Sequence, residues 1–131
     1  MKTIIPPVVI LALCAATASA QVNVNKPTPI VGYDASVIGR AIMEGLTPTL
    51  QLRNDQINQV TILIGQFLTK KGEFIDQMQS APDEYQQKFN AAQKVLFDGL
   101  RRNLQPTQFT QLMQLKPAAA DANKPVSQLF Y

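Results

Sequence analysis

The sequence predicts an all-α chain: a long antiparallel helical hairpin with short flanking helices. Three observations predict it. Apolar residues recur in steps of three and four from Ile57 to Met78, and again from Tyr85 to Leu100. Prolines fall between these stretches, at Pro48, Pro82 and Pro106, where helices end or begin. No alternating apolar–polar run is long enough for a useful strand.

The first residues read as an export signal. Lys2 is followed by an apolar run, Ile4 to Ala16, which ends in ATASA. Small residues at Ala18 and Ala20 suit cleavage after Ala20. The run is shorter than the roughly 20 apolar residues a membrane span needs, and no later segment approaches that length. Cys14 is the only cysteine and lies inside the run. Lipidation there is a minor alternative, because Leu13 stands where lipoprotein processing wants a small residue. Once residues 1–20 are removed no cysteine remains, so no disulfide can form.

Residues 21–32 contain two prolines and no helical period, and read as a flexible arm. Asp34 or Ser36 can cap a first helix that runs to about Gly45, with Val37, Ile38, Ala41 and Ile42 on its apolar side. Pro48 is expected to break it. A second helix starts near Arg53–Asp55 and runs to about Gln79. Its seam is Ile57, Val60, Ile64, Phe67, Lys71, Phe74 and Met78, with Gly65 and Gly72 marking a bend or a close contact.

Ser80 or Ala81 precedes Pro82 at the start of a third helix. Asp83 and Glu84 there suit the positive end of the helix dipole. Tyr85, Phe89, Ala92, Leu96 and Leu100 form its stripe. Glu84–Lys88 and Asp98–Arg102 are acid-first pairs four residues apart. Pro106 starts a fourth, short helix carrying Phe109, Leu112, Met113 and Leu115. The helical domain is therefore placed at residues 33–116. Residues 117–131 are expected to be a flexible tail, since Pro117 and Pro125 discourage a helix; its closing QLFY is apolar enough to dock.

Charge and composition exclude several functions. The chain has 12 basic and 9 acidic residues, interleaved, so nucleic acid is not an expected partner. It has no His and no Trp. Ser36, Ser80 and Ser127 lack a His to activate them, so no catalytic residue is assigned and the chain is not expected to be an enzyme. Scattered carboxylates alone make a poor metal site, so no metal or other cofactor is expected. The ordered part is small and has no staple of its own, which predicts a homodimer.

One phrase occurs twice. LRNDQ at Leu52–Gln56 and LQPTQ at Leu104–Gln108 each place a Leu four residues before a Gln, ahead of a helix. Each reads as a helix start in which Leu is a hydrophobic staple and Gln reaches back to an orphan N–H. With the export signal and the helical hairpin, the motif residues Leu52, Gln56, Leu104 and Gln108 give the chain a resemblance to the Spy/CpxP family of periplasmic proteins, marked by a repeated Leu-Thr-x-x-Gln. LQLRNDQINQV is similar to that family's opening segment and LQPTQFTQLMQL to its closing one, so the likeness spans about Leu50 to Leu115. Arg53 and Gln105 stand where the family has Thr.

The resemblance implies a cradle-like dimer in the periplasm. It implies an ATP-independent holdase for partly unfolded envelope proteins, with a regulator binding one folded partner, such as a sensor-kinase domain, as the alternative. Metal-binding relatives use His, which is absent here. The candidate client-binding residues are Lys71, Ile75, Lys94, Phe97, Arg101 and Arg102. Lys71 interrupts the apolar seam, and its stem is expected to cover apolar surface while its ammonium reaches water. Ile75 and Phe97 lie just off the stripes and are expected to be exposed.

Overall fold

The computed structural model describes residues 32–131. The export signal over 1–20, Cys14 and the arm up to Val31 lie outside the described residues. The described chain is all-helical: α1 (Ala35–Thr49), α2 (Asn54–Phe74), α3 (Gln77–Ser80), α4 (Pro82–Asn103), α5 (Pro106–Gln114), then a 3-10 turn at Pro125–Leu129. None of these helices is long and apolar enough to cross a membrane.

Asp34 is the cap of α1. Its carboxylate accepts from the Ser36 and Val37 backbone N–H groups at 2.9 and 3.2 Å, which satisfies orphan donors of the first turn. Contrary to the expected break, α1 contains Pro48 and runs to Thr49. A proline so near the end sacrifices only one helical hydrogen bond. The helix closes on a Schellman motif: Leu52 N–H donates to Thr47 O at 3.0 Å and Gln51 N–H to Pro48 O at 3.3 Å. Gln51 takes the left-handed position, with φ of 52°, where glycine is usual.

α2 ends at Phe74 rather than Gln79. Ile75 and Asp76 keep helical dihedrals, but the ladder tightens there, with Met78 N–H on Ile75 O at 3.1 Å. Ala81, with φ −146° and ψ 72°, then turns the chain, and Pro82 opens α4 as its first residue.

α2 and α4 pack along one another. Moving up α2, Gln56 meets Asn103, Leu63 sits on Gly99, Phe67 meets Phe89, and Phe74 meets Tyr85. A Cβ on Gly99 would come within 2.7 Å of Leu63 Cδ2, so the leucine rests on bare backbone. Gly72 serves a similar end: a Cβ there would lie 3.0 Å from the Tyr33 ring, whose hydroxyl donates to Leu68 O at 2.6 Å. Gly65 has open space around it. The core is the shared interior of α1, α2 and α4, with Leu46, Ile64, Leu68, Leu96 and Leu100 almost wholly buried.

The segment after α5 does not match the expected free tail. Leu129 is fully buried and Phe130 nearly so, both within the core cluster. Tyr131 OH donates to Pro117 O at 2.6 Å and Ser127 Oγ accepts from Asp121 N–H at 2.9 Å, which folds the segment onto itself. Pro125 does not prevent a turn; it begins one, as its fixed φ allows. The expected ion pairs also re-form differently. Lys88 Nζ donates to Gln77 Oε1 at 2.9 Å, and Arg102 Nε donates to the Asp98 backbone oxygen at 3.1 Å.

Candidate functional site

The repeated frames come together. Gln56 Oε1 accepts from the Arg53 N–H at 3.0 Å, and Gln108 Oε1 accepts from the Gln105 N–H at 2.9 Å. The two amides then pair face to face. Gln56 Nε2 donates to Gln108 Oε1 at 2.8 Å, and Gln108 Nε2 donates to Gln56 Oε1 at 3.1 Å. The second amide hydrogens cross over: Gln56 reaches Asn103 O and Gln108 reaches Leu50 O, each at 3.1 Å.

Every hydrogen-bonding position of both glutamines is filled, as two buried amides require. Asn is too short for this and Glu has no donor. The flanking Leu52 and Leu104 are buried beside the pair. Arg53 and Gln105, in the threonine positions of the motif, make no side-chain cap. The repeated phrase therefore acts as a clamp that joins the start of α2 to the start of α5.

The six candidate client-binding residues fall into different environments. Lys71 is fully buried. Its ammonium donates to Gln128 O at 3.0 Å, to Gln128 Oε1 at 2.6 Å and to Tyr131 O, and it lies 5.4 Å from the centre of the Phe89 ring. This corrects the expectation that it reaches water: the segment after α5 covers it. Burial pushes its pKa down to about 8. Ile75 is buried too, at 7% exposure, because the turn after α2 folds it inward.

Phe97 is half-buried, 6.0 Å from both Phe109 and Phe130, and joins α4 to α5 and the tail. Lys94 and Arg101 are exposed and share Asp98, at 3.1 and 3.5 Å. Arg101 also lies over the Phe109 ring at 4.8 Å. Such exposed pairs add little stability. Arg102 is exposed and follows Val95 by two helical turns on the same face.

An open groove of about 600 Å³ runs between α2 and α4. Leu63, Phe67, Phe74, Ala92, Val95 and Leu96 supply its apolar wall, and Lys70, Glu73 and Lys88 stand at its edge. Val95 is 69% exposed. Of the six sequence candidates none lines this groove. The signal that could have found it is local. In Val95-Leu96-Phe97 three consecutive apolar residues cannot all face one core, since each step turns the helix by about 100°. With Leu96 inside, Val95 is turned toward the groove. The run Ile62-Leu63-Ile64 carries the same signal on α2, and Ile62 is 52% exposed.

Comparison with known protein families, with curated proteins and with solved structures finds no match.

Proposed function

We propose that this chain is an ATP-independent holdase of the bacterial envelope, and that the α2–α4 groove is where it holds extended apolar segments of partly unfolded proteins. The observation that carries the reading is the groove itself. It is open along its length, its wall is apolar and aliphatic as well as aromatic, and its edge carries both signs of charge. Unfolded chains present apolar side chains among charges of either sign, and an open groove with long-stemmed lysines at its lip can accept many such sequences. Arg102, further along the same face, extends the positive edge.

The paired glutamine frames support a Spy/CpxP-like protein, in which the helices form a long hairpin and two copies build a cradle. The export signal expected from the sequence supports a periplasmic setting for this activity. The groove, rather than Lys71 or Ile75, is the client surface in this reading.

The test is light scattering from a thermally unfolding model client, with the purified chain and no ATP. Suppression near equimolar ratios is expected. Val95→Asp should raise the amount needed at least threefold while leaving helical circular dichroism unchanged, since an exposed substitution alters stability by only about 0.5 kcal/mol. Absence of suppression across several clients, or equal suppression by Val95→Asp, would overturn the reading.

A further inference from the structure

The polar contacts that α2 and α4 make with the last segment go mainly to its backbone. Lys71, on α2, donates to the main-chain oxygens of Gln128 and Tyr131. Gln93, on α4, donates from Nε2 to Leu129 O at 2.9 Å. Leu129 and Phe130 fill apolar positions in the core. Backbone oxygens read by fixed donors, with side chains seated in apolar pockets, is the general arrangement by which proteins bind peptides.

The lysine favours an occupant that carries acceptors. A buried ammonium carries three donors and must find acceptors for them. Here Gln128 and Tyr131 provide all of them. With the segment gone, the ammonium would exchange these acceptors for water, and the apolar surfaces that Leu129 and Phe130 cover would be exposed. The connection from α5, Lys116 to Lys124, is irregular and mostly exposed, so the segment can leave without unwinding a helix.

We propose that Lys71, Gln93 and the apolar seat of Leu129 and Phe130 form a peptide-binding site. The chain's own Pro125–Tyr131 segment keeps it closed, and on release it takes a second peptide of the same apolar–aromatic chemistry. The site is separate from the α2–α4 groove and does not depend on the holdase reading. A short tether holds its own segment at roughly millimolar effective concentration, so a peptide in trans competes poorly until the segment is weakened.

The probe is a fluorescein-labelled peptide with the sequence of Lys124–Tyr131, followed by anisotropy against the full chain. Binding should be at least tenfold tighter to a full chain carrying Leu129→Ala and Phe130→Ala than to the unaltered chain. Adding Lys71→Met to that double variant should reduce affinity at least tenfold, since the methionine keeps the apolar stem and removes the donors. Equal or absent binding by a double variant with normal helical circular dichroism would overturn the proposal, as would Lys71→Met without effect.

Should the double variant fail to fold, hydrogen exchange on the unaltered chain decides. The Phe130 and Tyr131 amides, both donated to Ser127 O at 3.1 Å, should be protected at least tenfold less than the α2 and α4 core. Exchange of these amides only with global unfolding would show that no latch opens.

Discussion

Gln56 and Gln108 stand 52 residues apart in sequence and exchange a reciprocal pair of amide hydrogen bonds inside the protein. Each also caps its own helix, so one pair of side chains fixes two helix starts and the angle between them. The clamp is polar, buried and complete, which makes it directional where apolar packing is not.

Removing both glutamines should therefore cost less than the sum of the two single losses. Gln56→Ala leaves the Arg53 N–H, the Asn103 carbonyl and one N–H of the Gln108 amide without their partners, and a loss of about 2–4 kcal/mol is expected. Gln108→Ala should cost a similar amount. Urea denaturation of both single variants and the Gln56→Leu, Gln108→Leu double variant measures the coupling. The double variant should fall short of the sum of the single losses by about 1–2 kcal/mol. Strict additivity would mean that the two amides do not act as a unit.

Two backbone positions can be improved. Gln51 occupies a left-handed conformation that costs a residue with a Cβ about 1 kcal/mol, so Gln51→Gly should stabilise the chain by roughly 0.5–1 kcal/mol. Gly65 is in mid-helix with nothing near its missing Cβ, and Gly65→Ala should stabilise by about 1 kcal/mol. Gly99→Ala is the contrast, because its Cβ would drive into Leu63. Thermal melts rank the three, and a gain from Gly99→Ala equal to that from Gly65→Ala would contradict the close contact.

The alkaline stability profile should have a maximum. Lys71 releases its proton at about 8 when folded and 10.5 when unfolded. Between these values the unfolded chain binds more protons, so stability rises with pH, by up to about 3 kcal/mol. Tyr85 acts in the opposite sense. Burial pushes its phenol from 10.0 up to about 12, so above pH 10 the folded chain holds the extra proton and stability falls. The half-buried Tyr33 phenol, also raised by burial, adds to the fall. Urea unfolding at pH 7 to 11 should show a rise to about pH 10 and then a decline. Lys71→Met should abolish the rise. Tyr85→Phe should lessen the decline and also stabilise at pH 7 by about 1 kcal/mol, since the Tyr85 hydroxyl is buried without a hydrogen-bond partner.

The helices themselves were legible because their signals are local. Spacing by three and four located α2 and α4, and Pro82 and Pro106 marked where α4 and α5 start. The clamp was half legible: the two Leu-to-Gln frames identified the right residues and the right caps. That Gln56 and Gln108 face each other depends on the packing of α2 against α4, which a pattern along one helix does not specify.

The sequence by itself determined the helix content, the turn positions and the motif residues, since these follow from periodicity, caps and proline geometry within a few residues. Only the tertiary structure decided what covers each helix face. It buried Lys71, because the segment after α5 supplies oxygens from 57 and 60 residues away. It buried Ile75 and half-buried Phe97. It left Val95 exposed at a groove that, among the described residues, α2 and α4 alone line. Periodicity shows that a face is apolar; whether that face meets a helix, a tail or a client depends on contacts distant in sequence.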